Sequence, residues 1–334
     1  RSGETVNGQY LEGKTATFGD IFVDVFEEEP PFVGQVLSPA IRTIVDSPGS
    51  PIPLKAIFSN SADVIVYKDN SPIMTIEATT SLEETIEVEN DFSGHYIEMV
   101  ATSGADSFYF DFTYAANKMH EDIDLDIDRP FGANIIEEDG QEYILFKISA
   151  PGKRSALVQN NLYSDQMILD ENAYMFRSED SSYFWNKIEI TGDLPDPLLY
   201  QYIIDGELHV ADPHSEVILD RFDDVYIDDH TFVDLPEFPR LVEGQHVSVL
   251  YSDEFSWTDT QFIRPDKRDL IIYEILLRDF IEEHSFQGLL DKIPYLKELG
   301  INAIELMPVN EFEGNLSWGY NPSFHGAIDK DRKS

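Results

Sequence analysis

The stretch "RDLIIYEILLRDFIEEHSFQGLLDKIPYLKELGINAIELMPV", residues 268–309, changes its hydrophobic period twice. Residues 268–280 form a largely apolar run flanked by charge, the pattern of a strand buried on both faces. From Ser285 the spacing turns helical: Phe286, Leu289, Leu290, Ile293, Leu296 and Leu299 recur mostly every third or fourth residue, and Gly300 stands where a left-handed C-terminal stop is expected. Pro294 lies inside that pattern and predicts a local irregularity. "INAIELMPV" then returns as a second apolar strand. Strand, helix and strand of these lengths make a βαβ unit, whose crossover is right-handed.

Upstream the period is two. Between 130 and 239, "EYILFKISAP", "SALVQNN", "AYMFRSEDSSYFWNKIEIT" and "LLYQYIIDGELHVADP" read as short strands. Asp205-Gly206 predicts a type I′ hairpin turn, since both central residues of that turn need positive φ. Further back, "PLKAIF", "DVIVYKD", "IMTIEAT", "ETIEVE", "HYIEMVAT" and "SFYFDFTY" alternate over 53–114, with turn-forming clusters such as "SNSA" and "KDNSP" between them. In the last of these, Phe108, Phe110 and Phe112 share one face, and Tyr109, Asp111 and Thr113 the other. Six such segments suggest an immunoglobulin-like sandwich. The expected organisation is an N-terminal segment with a sandwich over 1–116, an acidic linker over 117–129, a second sandwich over 130–239, a connector over 240–267 and the βαβ region over 268–334.

Composition narrows the partners. Sixty-four acidic residues against 23 basic ones give a net charge of -41, a field that repels nucleic acid and anionic membranes. The acids are scattered among apolar residues, so they read as a solvated skin, and a saline habitat with stability rising with salt is one expectation. With no cysteine, disulfides and thiolate metal sites are excluded. No apolar run reaches the roughly 20 residues of a membrane span, and "RSGETVNGQY" has neither Met nor a signal-peptide core.

Several blocks resemble one family in its own order. "DLIIYEILLRDF", "HSFQGLLDKIPYLKELGINAIELMPVNEFEGNLSWGYNPSFH" and "AIDK" look like the opening of the catalytic barrel of glycoside hydrolase family 13, the α-amylase family. "YFWNKI", "YQYIIDGELHVADPHSEVILD" and "FSWTDTQFIRPDKRDL" resemble the sandwich that precedes the barrel, related to carbohydrate-binding module family 48. The resemblance covers residues 130–330 well and 20–116 only in architecture. It implies a multidomain, mainly β chain: two immunoglobulin-like β-sandwiches followed by the first βαβ unit of an incomplete (β/α)8 barrel.

The resemblance also implies a secreted or cell-surface enzyme acting on α-glucans such as starch, glycogen or maltodextrin. In this family an Asp nucleophile, a Glu acid/base and a further Asp follow barrel strands 4, 5 and 7, and retention needs two carboxyls about 5–5.5 Å apart. A whole barrel takes about 250 residues, so by resemblance all three would lie beyond Ser334. No catalytic residue and no cofactor are expected here, and the chain as given is expected to be inactive. Asp279, Glu311 and Glu313 follow the two strands, but nothing in the sequence sets two of them at the required separation.

Substrate contact is expected from the loop "SWGYNPSFH". Tyr320 matches a family tyrosine that stacks on the sugar ring beside the cleaved bond, and Trp318 and Asn321 flank it. Gly319 reads as a backbone requirement of the turn. Trp185 in "SYFWNK" is a further candidate, either facing glucan or anchoring the core. His209, Asp212 and His214 have metal-ligand chemistry, but "ADP" resembles a structural turn of the family, so no metal is expected.

Leaving the apolar side chains of the two strands wet would forfeit on the order of 15–30 kcal/mol. The βαβ region therefore packs on the second sandwich, on missing barrel or on another copy. A homo-oligomer through this region, or a non-catalytic glucan-binding or self-assembling protein, is the alternative reading. After "AIDK" the run "DRKS" departs from the family pattern.

Overall fold

The structure, a computed structural model, describes residues 32–125, 128–227, 231–251, 256, 258, 261–282 and 284–330, with the backbone of two short paired strands, β1 (Ser2–Val6) and β2 (Gln9–Gly13). The acidic "FEEEPP" run and the terminal "DRKS" lie outside the described residues. The chain divides into two compact units, Arg1–Asn117 and Lys118–Ser334. Among the described residues no helix is long and apolar enough to cross a membrane.

In the first unit β3 (Gly34–Ser38), β4 (Thr43–Asp46), β5 (Pro51–Lys68), β6 (Ser71–Glu87), β7 (Gly94–Ser103) and β8 (Asp106–Ala116) form one six-stranded sheet. Six expected segments have become four strands. The "SNSA" cluster does not end a strand; β5 runs through it, and the ladder to β6 absorbs it as a register shift between Ile57 and Ala62. The ladder on either side outweighs the turn preference of small polar residues. Phe110 and Phe112 of β8 enter the core with Ile97 and Met99. Their neighbour Asp111, on the face expected to be wet, is 5% exposed. Arg42 makes this possible: its guanidinium donates to Asp111 Oδ1 at 2.9 Å, while the Tyr96 hydroxyl donates to Oδ2 at 2.8 Å.

The second unit contains two antiparallel sheets. One takes β9 (Gly132–Glu138), β10 (Gln141–Ser149), β12 (Phe176–Arg177) and β13 (Tyr183–Glu189). The other takes β11 (Ala156–Asn160), β14 (Leu198–Ile204), β15 (Leu208–Val210), β16 (Val217–Asp220) and β17 (His246–Leu250). Phe146, Phe184 and Ile188 of the first meet Val158, Tyr200 and Tyr202 of the second in a shared core. The β14–β15 turn has Asp205 at φ 53° and Gly206 at φ 76°, the two positive values expected of it.

The acidic segment from 118 is stitched to this unit. Asp122 takes a bidentate hydrogen bond from Arg177 at 2.6 and 2.9 Å, and Asp124 accepts the Glu179 N–H at 2.8 Å. His120 is buried beside Tyr174 and Phe184, and its Nε2 has no hydrogen-bond partner.

Candidate functional site

The site is built on β18 (Ile272–Ile275), α1 (Leu277–Phe280), α2 (Phe286–Glu298) and β19 (Ala303–Leu306). β18 and β19 pair in parallel, Ile272 opposite Ala303 and Ile275 opposite Leu306. The connecting α2 starts where the Ser285 hydroxyl accepts the Gly288 N–H at 3.0 Å, and the chain reverses at Gly300, φ 83°.

The apolar run of 268–280 is not one doubly buried strand. It is a short strand followed by a helical turn, and only Ile275 and Leu277 are sealed, against Ile281, Leu289 and Leu296. Ile271 and Ile272 remain 53% and 54% exposed, because among the described residues no layer covers the second face of the strand pair.

After β19 the chain forms a hairpin of β20 (Asn310–Phe312) and β21 (Pro322–Ile328). Ala327 packs with Ala211 and Ile218, Phe324 packs beside His246, and the Ile328 N–H donates to the Glu216 carbonyl. Lys330, 2% exposed, ties the ends together: its Nζ lies 2.6 Å from Glu311 Oε1 and 3.2 Å from Asp224 Oδ1. Burial lifts the Glu311 carboxyl to about 7 against the pull of Lys330. The next turn is held by Asp223, which accepts the Gly314 N–H on Oδ2 and the Asn315 amide on its carbonyl, both at 3.0 Å. The hairpin thus packs on the β-sheet body, while the strand residues Ile271, Ile272, Tyr273 and Leu306 of the βαβ unit stay exposed.

Between the two hairpin strands runs the aromatic loop. At Gly319, φ 87°, an added Cβ would sit 2.1 Å from the Pro308 carbonyl oxygen, so only glycine fits. The Ser317 hydroxyl donates to Asn321 Oδ1 and accepts the Gly319 N–H at 2.9 Å, closing the turn. Trp318 and Tyr320 stand outside it, each 64% exposed. The Tyr320 hydroxyl is 3.4 Å from Glu274 Oε1. Desolvation, then Glu274, then Glu305 raise the Tyr320 pKa above its ordinary value.

Trp318, Tyr320 and Asn321 therefore come together on one loop. Glu274 and Glu305, directly paired across β18 and β19, join Tyr320 there. Sequence reading passed over them as strand residues; the signal was a single acid inside each apolar strand, "IYEI" and "AIEL". Trp185 is elsewhere, half-buried on β13, its ring 5.0 Å from Phe176 and its indole N–H donated to the Ile123 carbonyl at 2.8 Å. Asp279 pairs with Arg278 at 2.8 Å, Glu311 is the buried partner of Lys330, and Glu313 is exposed. Asp212 is wholly buried and accepts both the Tyr200 and Tyr202 hydroxyls, at 3.1 and 3.0 Å, as an internal tie of β14.

No family model matches the chain. It is 31% identical over 195 residues to malto-oligosyltrehalose trehalohydrolase of Saccharolobus solfataricus, covering 58% of this chain and 28% of that protein. Chloroplastic isoamylase 1 of Arabidopsis thaliana is 26% identical over 211 residues, 58% of this chain and 26% of that protein. Among solved structures, a pullulanase from Anoxybacillus aligns at 15% identity and a TM-score of 0.41, over 85% of this chain and 42% of that one. The chain spans about a quarter of the length of these two curated relatives. The homologues are α-amylase-family enzymes, and this similarity is consistent with a partial α-amylase-family chain.

Proposed function

We propose that the chain is the N-terminal part of a secreted or cell-surface α-amylase-like glycoside hydrolase that acts on α-glucans. Two immunoglobulin-like sandwiches, the second related to carbohydrate-binding module family 48, precede the first βαβ unit of a (β/α)8 barrel. The observation that carries the reading is the aromatic loop: main-chain contacts fix it at Gly319, while Trp318 and Tyr320 face outward beside Glu274. A flat ring suits the apolar face of a pyranose, and carboxylates and Asn321 suit its hydroxyls. Trp185 is a second, weaker contact through the open part of its ring.

Neutral glucan also agrees with the charge, since an uncharged polyol is not repelled by a net -41. Catalysis is assigned to carboxylates on later barrel strands, and this 334-residue chain alone hydrolyses no starch. Electrophoresis in amylose-containing gels tests binding: retardation is expected for the full chain, lost in Tyr320→Ala, weakened in Trp185→Ala, and weakened in Gly319→Ala through the loop backbone. Equal mobility with and without amylose would overturn the binding reading. Reducing sugar released from starch would overturn the inactivity.

A second reading rests on the open strand face. Ile271, Ile272, Tyr273 and Leu306, all more than a third exposed, favour self-association through the βαβ region. Light scattering decides between a mass of 38.1 kDa and a multiple of it.

A further inference from the structure

The turn "ENDFSGH", residues 89–95 of the first unit, gathers Glu89, Asp91 and His95 so that one ligand atom of each lies within 4.8 Å of the others. His95 is the floor of the group, 7% exposed and packed 5.0 Å from the Tyr114 ring. Its Nδ1 is 2.8 Å from Asp69 Oδ2, on the hairpin tip between β5 and β6. The second Asp69 oxygen accepts the Tyr96 N–H at 2.8 Å, so this carboxylate is itself held in place. A hydrogen bond of that kind places the imidazole proton on Nδ1 and leaves the Nε2 lone pair facing the turn.

What Nε2 faces is two more carboxylates, Asp91 Oδ2 at 3.3 Å and Glu89 Oε2 at 3.5 Å. A lone pair against anionic oxygens is repulsive unless a proton or a cation lies between. Charge-assisted N–H···O bonds close to about 2.7–2.9 Å, and both contacts are longer. Zinc bonds of about 2.0–2.1 Å in a tetrahedron separate neighbouring ligand atoms by about 3.3–3.4 Å, and the two contacts of Nε2, 3.3 and 3.5 Å, lie close to that.

Two independent observations point the same way. Asp91 Oδ1 is shut off from solvent and has no hydrogen-bond partner, the position of an acceptor awaiting a ligand. The charge count points the same way: among the described residues the three carboxylates Asp69, Glu89 and Asp91 gather around His95, with Lys68 paired to Glu89 Oε1, an excess of negative charge that a divalent ion would offset. Imidazole nitrogen with carboxylate oxygen selects a first-row ion such as zinc over calcium or magnesium, which prefer all-oxygen shells.

We infer that His95, Asp91 and Glu89 bind a divalent first-row metal ion, with zinc the fitting choice, and that Asp69 positions the histidine for it. The ion staples the β6–β7 turn to the β5–β6 hairpin tip; it takes no part in glycoside chemistry and does not depend on the glucan reading.

The test is zinc chloride titrated into the full chain after chelator treatment, in competition with a chromophoric zinc indicator, with calcium and magnesium chlorides as controls for the acidic surface. Expected are a single equivalent of zinc bound well above either control, a rise in melting temperature, and visible d–d bands of a tetrahedral centre with cobalt(II). Asp91→Asn and Glu89→Gln, both on the exposed side, lose at least about tenfold in zinc affinity, and Asp69→Asn about 10- to 100-fold, with metal-free melting unchanged or raised. Zinc held no more tightly than magnesium overturns the inference. So does equal zinc binding by the variants, or an NMR spectrum in which the His95 ring signals do not move with zinc in excess.

Discussion

"LLYQYII" (198–204) and "LIIYEIL" (270–276) are nearly interchangeable as strings, each six apolar or aromatic residues around one polar residue, yet they meet different fates. In β14 every residue but the half-buried Leu199 is sealed between two sheets. Within residues 270–276 only Ile275 is sealed. The difference lies in what covers the strand. β14 is enclosed by β10, β13 and its own sheet neighbours, whereas β18 has one neighbour strand and one helix. Apolar sequence states a demand for burial; the layers supplied by the rest of the chain decide how much of it is met.

The contrast breaks first in the core of the sealed body. Phe184→Ala removes a ring with no exposure from the centre of the shared core, and the expected loss is about 3–5 kcal/mol in denaturant unfolding. A smaller effect comes from His120, which burial, assisted by Arg177 and Lys118, pushes down to about 4 from 6.5. A histidine kept neutral in the fold but free to protonate when unfolded favours the native state above pH 6.5. That advantage falls as pH drops from 6.5 and is gone below 4, a span of at most about 3 kcal/mol. His120→Gln should flatten that part of the stability–pH curve, with melting temperature across the interval as the measurement. The smallest effect belongs to the open strand: Ile272→Ser should change stability by no more than about 0.5 kcal/mol, while lowering binding of a hydrophobic dye.

Where the physics is local, the fold was legible in the sequence. Asp205-Gly206 needs only its own two φ angles, Gly300 only the helix that it closes, and the alternation of Phe110 and Phe112 only the pleat of β8. Where a distant partner decides, the reading departed from the structure. Asp111 is buried because Arg42, from the bend before β4, reaches it, and "SNSA" stays extended because the β6 ladder carries across it. The candidate site divides in the same way. The loop and its glycine announce themselves over a few residues, whereas the pairing of Glu274 with Glu305 depends on a strand register set across α2. Trp185 was placed correctly on a strand, but its bond to Ile123 comes from the segment read as a linker.

At Gly319 the constraint lies entirely in the main chain, pressed on the Pro308 carbonyl, while the flanking rings of Trp318 and Tyr320 contribute little to their own placement. Shape and chemistry are thereby separable in this loop. Its outline is inherited through one residue that cannot change, and its two display positions are free to be rewritten, so recognition there can be retuned by single substitutions that leave the backbone as it was.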